Sequence, residues 1–119
     1  MISKTHRFHG RTSLSHVYKH GSVVRGPLFA VKSVLNPRRK TYRVAVVVGR
    51  KINKSAVARN RIRRRLYAAV RALSDDITQP YDIVLTVFQN SAQDAEPSVL
   101  ARQVKKQLSE AGVLTKSFR

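Results

Sequence analysis

No carboxylate occurs before position 75. Residues 1–74 hold 19 Lys and Arg and no acid, while all six acids (Asp75, Asp76, Asp82, Asp94, Glu96 and Glu110) lie beyond them. The formal net charge is +18 over 119 residues. A chain so charged repels itself when compact, so apolar burial must outweigh that repulsion, and a bound polyanion relieves it. Hydrophobic residues make up 42% of the chain, which places it with folding sequences rather than disordered ones. The length indicates a single domain over residues 1–119. Nucleic acid is the first polyanion to consider, and an anionic membrane surface the second.

Other classes are excluded by what the chain lacks. The longest uncharged apolar stretch, Val44–Gly49, is far too short to span a bilayer. The basic segment Met1–Arg11 is followed by no apolar core, so it does not read as a secretory signal. There is no cysteine, hence no disulfide and no thiolate metal site, which suits a reducing, cytoplasmic setting.

Periodicity gives the elements. Thr12-Ser13 can cap a short helix through about His20, with Leu14, Val17 and Tyr18 on one side and Gly21 as its stop. Ser22–Arg25 offers a short strand, and Leu28–Leu35 reads as another between Gly26-Pro27 and Asn36-Pro37. Arg43–Gly49 and Asp82–Phe88 are β-branched, nearly continuous apolar runs, hence buried strands. A long helix begins at Lys54 or Ser55, with Ala58, Ile62, Leu66, Ala69, Val70 and Leu73 as its apolar stripe. A last helix starts at Pro97, carries Leu100, Val104, Leu108 and Ala111, and stops at Gly112. The order is α-β-β-β-α-β-α, an α+β two-layer sandwich with helices packed on a small mixed sheet.

Residues 50–65, RKINKSAVARNRIRRR, concentrate eight positive charges and no negative one. A solvated helix face normally mixes signs through i, i+4 pairs, whereas here Arg59 and Arg63, and Arg61 and Arg65, repel one another. At about 100° per residue, Asn60, Arg64 and Arg71 point away from the stripe, Arg61 and Arg63 lie on its two sides, and Arg59 and Arg65 flank it. A membrane-surface helix would set Trp, Phe or bulky Leu opposite the charges, whereas this stripe contains two alanines and has the right width to pack on a sheet. Guanidinium forks suit bidentate phosphate contacts and stacking on bases, so the helix reads as a nucleic-acid ridge. The bland alternative for Asn60 is a solvated polar residue.

Two rival functions are open to such a chain. His6, His9, His16 and His20 are general acid–base candidates for a nuclease, and His16 and His20 have a metal-compatible i, i+4 spacing. Yet the first 74 residues supply no carboxylate to orient a histidine or complete a metal shell. His20 beside Gly21 also suits a helix C-terminus. A ribosomal or other structural RNA-binding protein fits charge, size and fold class equally. A DNA-binding module is disfavoured, because no helix-turn-helix pair or zinc spacing occurs.

The segment from Arg50 to Arg64, following the strand Val44–Gly49, resembles the signature of the bacterial ribonuclease P protein family, an Arg-Asn-Arg motif on a long helix after a basic turn. Leu14-Ser15-His16-Val17-Tyr18-Lys19-His20-Gly21 is similar to that family's first helix, and Tyr81-Asp82-Ile83-Val84 to its strand after the long helix. The resemblance covers most of the chain and implies a ribosomal-protein-like fold. It also implies a cofactor of a ribozyme, with no catalytic residue of its own, that assists 5′ maturation of precursor tRNA. Its partners are then the catalytic RNA subunit and precursor tRNA, with no membrane and no obligate protein partner. Mg2+ is expected through the RNA. By the same resemblance, Arg59, Asn60, Arg61, Arg63 and Arg64 face the catalytic RNA, joined by Arg50 and Lys51. Lys54 sits at the junction with the leader, which lies in a cleft built from Leu14, Tyr18, Phe29 and Lys32. Leu14 and Lys32 stand where aromatics are common, and Gln89-Asn90 where a basic residue and proline are common. On pattern alone, Leu14, Tyr18 and Phe29 read as core.

Overall fold

The apolar runs pair into one four-stranded sheet in the computed structural model, which describes residues 6 and 11–114. The strands are β1 (Ser22–Arg25), β2 (Phe29–Leu35), β3 (Arg43–Val48) and β4 (Tyr81–Val87), in the spatial order β1-β2-β4-β3. β1 and β2 form an antiparallel hairpin, β2 and β4 are antiparallel, and β3 and β4 are parallel, so the sheet is mixed. Parallel neighbours need a crossover, and helix α2 (Ala56–Arg71) provides it. Helices α1 (Arg11–His20) and α3 (Pro97–Glu110) complete the expected element order. Thr12 and Ser13 fall inside the first turn of α1 rather than ahead of it.

Alternation along the strands divides the side chains between two faces. Phe29 and Val31 of β2, Val44, Val46 and Val48 of β3, and Ile83, Leu85 and Val87 of β4 share one face. They pack against Ile62, Leu66 and Val70 of α2 and Leu100, Val104 and Leu108 of α3, all but fully buried. Side chains of this kind contribute about 1.5–3 kcal/mol each when fully buried, which is how this core outweighs the charge repulsion. Tyr67, not in the expected stripe, is buried as well, and its hydroxyl accepts from the Val46 amide at 3.2 Å. The opposite face carries Val34, Ala45, Val47 and Val84, and α1 covers part of it through Val17 and Leu14.

Among the buried polar side chains, Asp82 and Gln107 tie elements together. The Arg43 guanidinium donates to both oxygens of Asp82 at 2.8 and 2.9 Å, and the Asn36 amide adds a third bond at 2.9 Å. On the helix side, Gln107 of α3 is 1% exposed and donates to the Phe29 and Val24 carbonyls at 2.9 and 3.3 Å, tying α3 to the β1–β2 hairpin.

Candidate nucleic-acid interface

The basic turn between β3 and α2 is held from within. Ser55 is the N-cap and accepts from the Ala58 amide at 3.2 Å. The Asn53 side chain accepts from the Ser55 amide and donates to Asn90 Oδ1, both at 2.9 Å, which fastens the turn to the segment after β4. Arg59 folds back, and its Nη1 donates to the Asn53 and Lys54 carbonyls at 2.9 and 3.0 Å. Arg50, Lys51 and Lys54 are left exposed, and with Ala56 and Arg59 they line a concavity of about 620 Å³. The first turn of α2 holds no acid, so its positive helix end is uncompensated there.

Along α2 the arginines divide by role. Asn60, Arg61 and Arg64 are exposed on the side away from the core. Arg63 is half-buried and its Nη1 donates to Asn60 Oδ1 at 2.6 Å, which uses the amide's acceptor and leaves its NH2 as a donor. Arg65 turns inward and donates to the carbonyls of Ala92 and Gln93 at 2.8 and 2.7 Å and of Ala95, pinning the loop before α3. Of the seven residues assigned to the catalytic RNA, Arg50, Lys51, Asn60, Arg61 and Arg64 are exposed, whereas Arg59 and Arg63 are half-buried in bonds of their own.

The second surface is the part of the sheet that α1 leaves open. Tyr18 is 41% exposed at its border. Lys32 of β2 donates to the Tyr18 carbonyl at 2.7 Å, and its ammonium stands 5.4 Å from the Tyr18 ring centroid. Leu14 packs under α1 against Val17, Ala45 and Val84. Phe29 is not on this surface: it is fully buried on the other face, in phase with Val31, and cannot stack on a base. An aromatic that the sequence reading passed over takes a place here. Phe88 follows β4 in phase with Val84 and Thr86, and the Arg25 guanidinium lies 5.0 Å from its ring centroid. Strand parity was the signal that separates the two phenylalanines.

Among the described residues the histidines stand apart from any carboxylate cluster. His6 stacks on Tyr42 at 4.1 Å between centroids, and its Nδ1 lies 2.9 Å from the Tyr42 carbonyl oxygen. His16 and His20 sit exposed side by side on α1, and His9 lies outside the described residues. Among the described residues no three His, Asp or Glu side chains gather where they could hold a metal ion. Burial raises the Tyr42 phenol above its ordinary value, opposed by its bond with Ser74 and by the charge of Arg71.

Fold and charge together define a strongly basic α+β protein, with a guanidinium ridge on one helix and an aromatic–cation surface on the far side of the sheet. The family model described as Ribonuclease P matches residues 2–112. The chain belongs to this family, the protein component of the ribonucleoprotein that matures the 5′ end of tRNA. It is 31% identical over 114 residues to the ribonuclease P protein component of a Pseudanabaena species, covering 96% of this chain and 97% of that one. It is 33% identical over 113 residues to that of Symbiobacterium thermophilum, covering 95% and 96%. The solved RNase P protein of Staphylococcus aureus has the same fold, with a TM-score of 0.81 at 24% identity over 92% of this chain and 97% of that one.

Proposed function

We propose that this chain is a single RNA-binding domain over residues 1–119 that docks on the catalytic RNA of ribonuclease P and holds the 5′ leader of precursor tRNA. The exposed row Asn60, Arg61 and Arg64 carries the reading, because the buried side of α2 fixes it rigidly toward solvent. Arg50 and Lys51 extend the phosphate contacts from the adjoining turn. Arg59 and Arg63 serve from half-buried positions, Arg59 by shaping the turn and Arg63 by orienting the Asn60 amide. Phosphate contacts of this kind set affinity and register without reading sequence.

The leader lies on the open sheet face, with Tyr18 as a stacking platform, Leu14 as its apolar support and Lys32 and Lys54 as phosphate contacts. Stacking suits a substrate of variable sequence, since every base has a π-face. Hydrolysis belongs to the RNA subunit, which holds Mg2+ through its phosphates; this chain supplies position and charge. It needs no second protein for this role and works in the cytoplasm; no helix among the described residues is long and apolar enough to cross a membrane.

The test is to incubate precursor tRNA with the chain, with the catalytic RNA and with both, at fixed salt and Mg2+. The expected result is no cutting by the chain alone and accurate trimming at the mature 5′ end by the pair, with tighter substrate binding than RNA alone achieves. Cutting by the chain alone, or a pair no better than RNA alone, would overturn the reading.

A further inference from the structure

The open sheet face has a second aromatic–cation pair that the leader reading above does not use. Arg25 of β1, Ala30 of β2, Thr86 of β4 and Val47 of β3 are register partners, forming one row across the sheet. Phe88 lies just past this row, beneath Arg25. The next row along holds Val23, Lys32, Val84 and Ala45, and Tyr18 stands over its Lys32. Phe88 lies four residues along β4 from Val84, the register partner of Lys32, so at about 3.3 Å per residue the two aromatic platforms stand about 13 Å apart along one face.

The charges on this face ask for an outside anion. Its one acid, Asp82, is fully engaged by Arg43 and Asn36. Arg25 is exposed and has no carboxylate partner among the described residues; its contact there is the Phe88 ring. Phe88 is half-buried, so its lower edge is fixed while part of the ring stays accessible. Val23, 53% exposed, is the register partner of Lys32 and extends the apolar floor beside it. The Asn53–Asn90 bond brings the basic turn of Arg50 and Lys51 to the same end of the sheet as Phe88.

We infer that Phe88 and Arg25 form a second stacking subsite for an unpaired base of the leader, beside the one at Tyr18. The entering base takes the ring face that the guanidinium now covers, and Arg25 moves to the flanking phosphate or stacks on the base's outer side. The leader track is therefore two-stepped, running across the β1–β2 hairpin as well as under α1. This inference rests on the leader reading.

The test uses the holoenzyme and precursor tRNAs whose leaders lengthen one nucleotide at a time. With the native chain, affinity rises with leader length in two steps. Phe88→Leu keeps the apolar packing and removes the ring; it should abolish one step, weakening binding roughly tenfold beyond that length and leaving shorter leaders unchanged. Arg25→Ala should weaken the same step. The chain has no tryptophan, so Phe88→Trp gives a lone reporter whose emission a stacked base changes only once the leader reaches it. Equal loss at every length, or none at any length, overturns the subsite. Failure of the native enzyme to respond to leader length at all overturns the leader reading beneath it.

Discussion

Replacing Arg61 and Arg65 one at a time separates binding from folding on a single helix. The two residues lie four apart in the same basic run; by sequence Arg61 is assigned to the catalytic RNA, and Arg65 flanks the apolar stripe with no assigned contact. In the structure Arg61 is exposed and makes no hydrogen bond or ion pair among the described residues, whereas Arg65 donates to three carbonyls of the 92–95 loop. Hydrogen bonds from a charged donor contribute about 1.5–3 kcal/mol each when buried. Arg65 is only partly buried, so the set is discounted to about 2 kcal/mol for the whole cluster. At about 4 °C per kcal/mol for a chain this size, Arg65→Ala lowers Tm by about 8 °C. Arg61→Ala shifts Tm by less than about 2 °C, as expected for a surface change away from any cap or core. On binding the order reverses. Arg61→Ala removes one phosphate contact and flattens the log–log salt dependence of affinity for the catalytic RNA by about 0.7–0.9. Thermal melts with salt-dependent filter binding on both variants supply the numbers. A melting loss for Arg61→Ala equal to that of Arg65→Ala, with an unchanged salt slope, would refute the division of the helix into a docking side and an anchoring side.

Other outcomes follow from the same contacts. Gly26→Ala drives a Cβ into the Gln107 side-chain amide, and Gln107 is held by the Phe29 and Val24 carbonyls, so the variant loses about 2 kcal/mol in denaturant melts. In the Gln107→Ala background the same change costs much less, a coupling that a double-mutant cycle reads directly. Asp82→Asn removes the buried carboxylate charge that the Arg43 guanidinium pairs with and destabilises by about 3 kcal/mol, measured in the same way. Because burial raises the Tyr42 phenol in the folded chain, its contribution to stability is complete below the unfolded value of about 10 and is lost as pH rises from there through the folded value. An ultraviolet titration should therefore show a late-ionising component that disappears in Tyr42→Phe.

The long helix and the buried strands were legible because each carries a one-dimensional rule. A stripe at steps of three and four fixes which side of α2 is buried, and the acid-free run then marks the other side. Parity along β2 was equally legible and decides against Phe29: it has the phase of Val31 and the opposite phase to Lys32, so those two side chains cannot share a sheet face. Sequence similarity to a family with an aromatic cleft favoured Phe29, and pleat geometry assigns it to the core. What no local rule reveals is how distant segments meet. The placement of β4 between β2 and β3 brings Phe88 beside the hairpin that carries Arg25, and the loop at 92–95 gives Arg65, which the sequence places only beside the stripe, its role as an anchor. Tyr67 escaped for a similar reason, since its hydroxyl finds its partner on β3.

The chain has no cysteine, so a hydroxyl-radical probe can be tethered at one chosen position in the assembled holoenzyme with precursor tRNA bound. From Arg64→Cys on α2 the strand breaks should fall in the catalytic RNA, and from Tyr18→Cys on α1 they should fall in the leader. Breaks in the catalytic RNA from position 18 with none from position 64 would contradict the assignment of the two surfaces.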